Sequence, residues 1–558
     1  MDPKQQGPLQ EELAKLRRDG EERDAERRAK NLGFPYVDTG KTPTSLEAIK
    51  LISEEKAKDA RVAAIQLKAR QVALAAFDPT LPAALAIIKD LESKKYTTKP
   101  FVVSLSGLEQ IWRLYKFISP DAGEISGKVA IEKKHLEELR GRLKTFQDVQ
   151  AELKKVDFTK LGTSTLLETI LAGATGVRAS DIHFEAEEKK AKIRFRLDGL
   201  LHDIFNDIPL RNYGSLVSRI KLLSGLKMNI YGEPQDGRFT IELGSKEIEM
   251  RVSIIPSEFG ETIVMRVLDP EATAVGLPDL GLRDDDLVIV EKNLSKPNGL
   301  ILNTGPTGSG KTTTLYAFLR KLNDPESKII TIEDPIEYRI EGIEQTQVDP
   351  SANYTFAKGL RAIVRQDPDI VLVGEIRDIE TADVAMQASL TGHLVLSTLH
   401  TNDAVGAVPR LVNLGVKPST IGPALSLVIA QRLVRKLCPE CKKPVEPPAG
   451  LKTKIETFLK KLPARVSRAP YAKGKLYKAP GCVACNNFGY RGRIGVFEFL
   501  EAGPTFEEAI LKEASEITLK KIAEGEQMVT MQEDGVLKAL LGVTDLGEVE
   551  RVTGVIEW

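Results

Sequence analysis

The residues Gly305-Pro306-Thr307-Gly308-Ser309-Gly310-Lys311-Thr312 fit the pattern G-x-x-x-x-G-K-[ST]. They follow the apolar run GLILNT and precede TTTLYAFLRKL, so they belong at a turn from a strand into a helix. Glycines there let backbone N–H groups turn inward onto phosphate oxygens. Lys311 would reach the β- and γ-phosphates, and Thr312 would offer its hydroxyl to Mg²⁺. The helix N-terminus adds partial positive charge. A Gly-rich turn alone can carry such a pattern by chance; the strand before it and the helix after it point to a nucleotide site. The expected ligand is ATP with Mg²⁺, held by Gly305, Thr307, Gly308, Ser309, Gly310, Lys311, Thr312 and Thr313.

Three further segments carry ionisable groups at strand ends. In DPDIVLVGEIRD the apolar run Ile370–Val373 delivers Glu375 to its C-terminal end, where an acid would sit beside the metal. In TIEDPIEY a strand over Ile329–Ile332 ends in Glu333, Asp334 and Glu337. Carboxylates so crowded repel one another unless a cation such as Mg²⁺ is near, and one of them could activate an attacking water. In isolation a solvated turn explains that cluster as well. In TGHLVLSTLHT, His393 and His400 flank the strand Leu394–Leu396, and they are two of only five histidines in the chain. A core or capping histidine is the ordinary reading; beside a phosphate loop, contact with the γ-phosphate becomes plausible.

Two arginines form a different kind of candidate. MRVSII and TIVMRVL flank a turn-like PSEFGE, and a hairpin centred on Glu258–Phe259 sets Arg251 opposite Arg266. Like charges directly opposed destabilise a sheet unless an anion lies between them. The anion would be a terminal phosphate held by a neighbouring subunit. Solvent, or pairing with Glu249 and Glu261, would also satisfy them. All the cysteines fall into two pairs, Cys438-Pro-Glu-Cys441 and Cys482-Val-Ala-Cys485. Reduced thiols in that spacing read as a tetrahedral Zn²⁺ site. The excursion of about 40 residues between the pairs must fold back on itself. With no fifth ligand in view, the zinc would be structural. A redox pair or unrelated thiols are the alternatives.

These groups must be carried by several folded units, since 558 residues predict three or four. Residues 1–30 read as a charged arm, a solvated helix or disordered, and 31–117 as a small α/β domain in which Ser45 caps a helix. Residues 118–156 read as a linker, ISPDAGEISGK, followed by a charged helical connector. Residues 157–269 form an α+β unit whose strands KIRFRLDG, RFTIEL and EIEMRVSII alternate apolar and polar residues. After a linker at 270–286, residues 287–558 change character. The apolar strands GLILNTG, KIITIED, DIVLVGE and HLVLSTL alternate with helices, as a parallel sheet covered on both faces requires. The cysteine-bearing insertion spans 437–490, and a helical tail spans 505–558. The fold class is α/β multidomain.

Hydrophobic residues are 42% and charged residues 28%, which excludes wholesale disorder. Acidic and basic residues balance at 79 each, unlike a strongly basic nucleic-acid binder. No apolar run reaches the roughly 18 residues of a membrane span. The N-terminus is charged and has no signal-peptide core, so a cytosolic location is expected.

Together the motifs resemble those of the secretion ATPases of type II secretion and type IV pilus assembly, the GspE/PilB family. The resemblance covers about residues 31–558. It rests on GPTGSGKTTTLY, ITIEDPIEY, DPDIVLVGEIRD, TGHLVLSTLHT, QRLVRKLCPEC and GCVACNNFGYRGRIGVFE, with ASDIHFE and PQDGRF earlier and TMQEDGVLKALLGVTDLGEVERVT near the end. It implies a homohexameric ATPase with an N-terminal docking domain, a PAS-like second domain and a RecA-like motor. By position, Glu337 corresponds to the catalytic glutamate that polarises water, and Glu375 to the Walker B acid acting through the Mg²⁺ shell. His393 and His400 fall in the histidine box, and Arg251 and Arg266 match arginines that reach the nucleotide. The cysteines match the zinc subdomain of assembly and export members, favouring polymerisation over retraction. The implied partners are a polytopic inner-membrane platform protein and a docking protein at the N-terminal domain. The protein would be cytoplasmic, held to the inner membrane through those partners. RLG-type repeats are absent, so cyclic-di-GMP regulation is not expected.

Two rivals stand beside this expectation. One is a RecA-like nucleic-acid motor, a helicase or conjugation ATPase, against which the zero net charge argues. The other is a scaffold with a degenerate nucleotide site, against which the intact Lys311, Thr312, Glu337 and Glu375 argue.

Overall fold

The computed structural model describes residues 6–117, 133–158, 162–243, 246–270, 275–472 and 475–558, with backbone only for 6–16, 117 and 133–135. The expected linker at 118–128 and part of that at 270–286 lie outside the described residues. The chain forms two compact units, Met1–Leu197 with Leu201–Val267, and Asp198–Leu200 with Leu268–Trp558.

The first unit begins with a helix, Gln6–Leu32. It is not wholly solvated, because Ala25 and Ala29 are buried. Arg28 donates from Nε to the Phe77 carbonyl at 3.0 Å and from Nη2 to the Val103 carbonyl at 3.1 Å. A three-stranded sheet follows, β1 (Val62–Lys68), β2 (Gln71–Ala76) and β3 (Thr97–Val102), with the helix Pro82–Ser93 crossing from β2 to its parallel neighbour β3. Ser45 caps the short helix Leu46–Ile49, as its position predicts.

The connector expected to be a charged helix is helical, in two pieces, and it also enters a core. Its helices Lys133–Arg142 and Phe146–Lys154, with Leu143 between them, bury Leu136, Leu139, Leu143, Phe146, Val149 and Leu153 against the next domain. These residues recur every three or four positions, the stripe of an amphipathic helix, which the high charge of the segment masks. The domain they join is built on a six-stranded sheet: β4 (Asp181–Ala186), β5 (Lys190–Leu197), β6 (Leu200–Pro209), β7 (Gln235–Leu243), β8 (Lys246–Ser257) and β9 (Gly260–Leu268), in the order β6-β5-β4-β9-β8-β7. The buried alternation Ile193, Phe195 and Ile248, Met250, Val252, Ile254 turns one face to the core.

This domain is not separate from the N-terminal one. The Asn229 side chain accepts from the Thr44 N–H at 3.0 Å and donates to the carbonyls of Thr39 at 2.6 Å and Thr42 at 2.7 Å. Met228 lies in the N-terminal core. One buried amide thus satisfies three backbone groups that would otherwise be stranded.

The second unit is organised by a seven-stranded sheet. In chain order its strands are β10 (Gly299–Thr304), β11 (Ile329–Glu333), β12 (Glu344–Gln347), β13 (Ile370–Val373), β14 (Leu394–Leu399), β15 (Leu425–Leu437) and β18 (Tyr490–Glu501), arranged β12-β11-β13-β14-β10-β15-β18. All neighbours are parallel except β15 and β18. β10, β11, β13 and β14 are buried along their whole length, as predicted. The edge strand β12 reads EQTQ and offers no apolar signal; it forms by pairing with β11. Between β15 and β18 lies the cysteine-bearing excursion, with the small pair β16 (Lys443–Val445) and β17 (Leu476–Lys478) and the helix Ala449–Lys461. Four helices between Pro504 and Thr553 complete the unit.

Candidate functional site

Parallel strands deliver their C-terminal ends to one edge of the sheet, and that edge collects most of the expected residues. Gly305 follows β10, Glu337 lies on the loop after β11, Glu375 follows β13, and His400 follows β14. The strand carrying Glu375 is separated from β10 by β14.

The glycine loop is shaped for close approach. Gly305 has φ +150°, and a Cβ there would stand 2.6 Å from the Gln431 carbonyl. Gly310 has φ +91°, and a Cβ would stand 2.8 Å from the Gln431 side-chain nitrogen. Gln431 is buried on β15 beneath the loop, and its Oε1 accepts from Asn303 at 3.0 Å and Thr314 at 2.8 Å. Sequence reasoning missed this support. The residue lies far along the chain, in the QRLVRKL segment, and only the β10–β15 pairing brings it here.

Lys311 opens the helix Lys311–Leu322, and its ammonium donates to the loop carbonyls of Gly305 at 2.7 Å and Pro306 at 3.2 Å. Burial pushes this amine down to about 8; Arg432 acts in the same direction and Glu375 opposes it. The Ser309 hydroxyl is buried with no hydrogen-bond partner among the described residues. An inward-turned loop with an orphaned hydroxyl and an ammonium folded back on its own carbonyls fits a polyphosphate. The exposed Thr312 hydroxyl suits its cation.

Glu375 is half-buried and bridged. Its Oε1 lies 2.5 Å from Arg377 Nη2 and its Oε2 lies 3.6 Å from His400 Nε2. Burial lowers the His400 pKa, as do Lys311 and Arg377, while Glu375 opposes. His400 is therefore in the neutral range at pH 7. Arg377 was not singled out from sequence, although it stands in the same GEIRD segment.

Two expected groups divide here. His393 and His400 flank β14, as the sequence implies, and the strand therefore carries them to opposite edges of the sheet. The six residues of β14 separate the two, and the His393 carbonyl accepts from Gly299 N–H at 3.2 Å at the edge away from His400. The two residues are roughly 20 Å apart at the rise of an extended chain. The His393 ring bonds the Ala388 carbonyl at 3.0 Å, a local contact away from the edge that holds His400. The carboxylate cluster also divides. Asp334 is exposed, whereas Glu333 is 4% exposed and turned into the domain. It accepts from Tyr316, from Thr331 at 2.6 Å and from Gln345 at 3.2 Å. Burial raises its pKa against those three hydrogen bonds.

In the first unit, the sheet face away from the core carries arginines. Arg196 and Arg266 both stand opposite Asp181, which they meet at 3.4 and 3.1 Å. Arg251 pairs with Glu249 at 3.2 Å and stands opposite Arg238. Arg238, in PQDGRF, was not named from sequence. Glu261, weighed there as a partner for these arginines, instead forms a buried pair with Lys221 at 2.6 Å.

The four cysteines converge. β15 and β18 pair antiparallel up to Leu437 and Tyr490, so the ends of the excursion meet. The Sγ atoms of Cys438 and Cys482 are 3.9 Å apart, as are those of Cys441 and Cys485, with 3.7 Å between Cys482 and Cys485. All four lie within 4.8 Å of one another. A tetrahedral Zn–S site has sulfur–sulfur edges of about 3.8 Å. Burial raises the Cys485 thiol, but N–H groups of Cys482 and Gly489 with the neighbouring thiols outweigh it and bring it down to about 7. The donor set and spacing fit Zn²⁺.

A phosphate loop and an acid on alternate parallel strands, with a polar residue closing the strand between them, make this a RecA-like P-loop ATPase. The family described as Type II/IV secretion system protein matches residues 160–551, and the chain belongs to it. It is 43% identical over 468 residues to the type II secretion system ATPase E of Vibrio cholerae, covering 83% of this chain and 89% of that protein. It is 36% identical over 527 residues to the type IV pilus assembly ATPase PilB of Myxococcus xanthus, covering 93% and 89%. In fold it is similar to the ATPase DotB of Legionella pneumophila, with TM-score 0.50 and 22% identity over 69% of this chain and 95% of that one.

Proposed function

We propose that the chain is a hexameric motor that hydrolyses ATP to assemble a type IV pilus or a type II secretion pseudopilus, acting on an inner-membrane platform protein. The observation that carries the reading is the gathering of Lys311, Ser309, Glu375 and His400 at one sheet edge with the loop bearing Glu337. The names of the relatives from Vibrio cholerae and Myxococcus xanthus supply the system. Among the described residues no helix is long and apolar enough to cross a membrane, which suits a cytoplasmic motor attached through partners. The N-terminal domain would be the docking element, with nucleic acid playing no part.

In this reading the loop from Gly305 to Thr313 holds the phosphates through its N–H groups, and Lys311 neutralises the β- and γ-oxygens. Thr312 and Glu375 are the residues that would hold Mg²⁺, which would neutralise phosphate charge when bound, and Arg377 and His400 orient the Glu375 carboxylate. Glu337 orients and polarises the attacking water. Arg251 and Arg266 of a neighbouring subunit balance charge that develops on the transferred phosphoryl group. Bond breaking then depends on closure, which couples hydrolysis to domain rotation.

Glu337→Gln tests this directly. The variant should bind ATP as the wild type does and release phosphate about 10²- to 10⁴-fold more slowly. Normal turnover would remove Glu337 from the role.

The zinc reading has its own test. Metal analysis should find one Zn²⁺ per chain, and Cys441→Ser should lose it. The excursion between Cys441 and Cys482 should then become sensitive to protease while the sheet remains resistant. Zinc-free wild-type protein with a protected excursion would overturn it.

A further inference from the structure

Tyr316 lies on the helix that Lys311 opens, one turn beyond Thr312, and is fully buried. Its hydroxyl donates to Glu333 Oε2. It accepts from the backbone N–H of Glu337 and, at 3.4 Å, from Gln345 Nε2. One donated and two accepted hydrogen bonds exhaust what a phenol can make. The Tyr316 ring also meets Tyr338 edge-on, with centroids 4.5 Å apart.

Glu333 and Gln345 complete the frame. Glu333 closes β11 and is fixed on its other oxygen by Thr331 and Gln345. Gln345, on β12, donates to the Tyr338 carbonyl at 3.2 Å and accepts from Ile340 N–H at 2.8 Å. The loop bearing Glu337 is therefore bonded at Glu337, Tyr338 and Ile340 to a polar cluster whose centre sits on the phosphate-loop helix.

A tyrosine in this place does more than fill volume. A phenylalanine would pack equally well against Tyr338, but it would leave the Glu333 carboxylate short of a donor and the Glu337 N–H short of an acceptor. Buried networks of this kind fix a single geometry when every member is satisfied. The geometry points to a specific role for this one. We propose that Tyr316 and Glu333 are positioning residues that hold the Glu337 backbone in a set relation to the helix opening on the phosphates.

The inference rests on the reading of Glu337 as the water-orienting group. It predicts that Tyr316→Phe binds a fluorescent ATP analogue as the wild type does and keeps its KM, while kcat falls about 10- to 100-fold, the scale of a misplacement near 1 Å. Glu333→Gln should act in the same direction, because one accepting oxygen becomes an NH2 and either Tyr316 or the pair Thr331 and Gln345 loses its acceptor. In a Glu337→Gln background, Tyr316→Phe should cause no further loss, since the group it positions is already gone.

The measurements are phosphate release and nucleotide binding on full-length protein, with melting curves alongside. A Tyr316→Phe chain that turns over normally overturns the proposal. So does a loss that multiplies with that of Glu337→Gln, or a loss of affinity equal to the loss of rate. Failure of the underlying reading is distinct, because it shows in Glu337→Gln alone.

Discussion

Lys311→Ala is expected to yield a folded chain that neither holds ATP nor cleaves it. Among the described residues the side chain makes hydrogen bonds only to the carbonyls of its own loop, Gly305 and Pro306, so no hydrogen bond to the core depends on it. Toward a triphosphate it supplies a charged hydrogen bond, worth about 1.5–3 kcal/mol in binding. The same charge faces the phosphoryl oxygens as they develop charge, an effect on the order of 10²–10³ in rate for one such donor. Together kcat/KM should fall about 10³-fold or more. Isothermal titration with ATP and a phosphate-release assay measure the two parts. Retained ATP binding with unchanged affinity would remove the phosphate loop from its role.

The same amine sets a pH dependence. Burial holds it at about 8 in the nucleotide-free protein, below its ordinary value. Phosphate contact favours the ammonium form, so ATP binding should take up a proton near that pH. Below about 8 the amine is already charged and affinity should be flat; above it, affinity should fall by up to about tenfold per pH unit. A curve flat through pH 9 would show that Lys311 does not meet the phosphates.

Arg266→Ala should leave ATP binding intact and reduce turnover by about 10³-fold or more, the scale of an arginine supplied at the transition state. The folded unit should survive the change. Arg266 is about half exposed, at 56%, and its partner Asp181 keeps Arg196. Arg266→Lys should recover little, because an ammonium lacks the planar fork that spans two oxygens. Mixing gives the sharper result. Neither Lys311→Ala nor Arg266→Ala alone should hydrolyse ATP appreciably, but mixed oligomers should regain activity. The first variant contributes an intact Arg266 and the second an intact phosphate loop. If mixing restores nothing, the arginine does not act between subunits; if Arg266→Ala turns over normally, it is only a surface ion pair.

His393 and His400 show how far sequence reasoning reaches. Both stand in one short motif beside one strand, and their types alone cannot separate them. Strand direction separates them, because only the C-terminal edge of a parallel sheet meets the phosphate loop. The three acids of TIEDPIEY differ in the same way. Glu333 is the last residue of its strand, so its side chain turns to Tyr316 and Gln345, while Glu337 stays with the loop.

Contiguous segments carried their own meaning. The glycine loop, the strand ending at Glu375 and the paired cysteines could be read from spacing, because strand–loop–helix geometry and metal-ligand spacing are set within a few residues. The burial of β10, β11, β13 and β14 could be read from near-continuous apolar runs. What spacing could not supply was which distant groups meet. Gln431 beneath the loop depends on β15 lying beside β10, and Tyr316 reaching Glu333 depends on how the phosphate-loop helix covers β11. Asn229 joining two expected domains, and the connector helices entering a core, depend on which surfaces pack together. Strand order and packing arise from crossovers and the competition to bury apolar area over the whole chain, and that competition leaves no mark within any one segment.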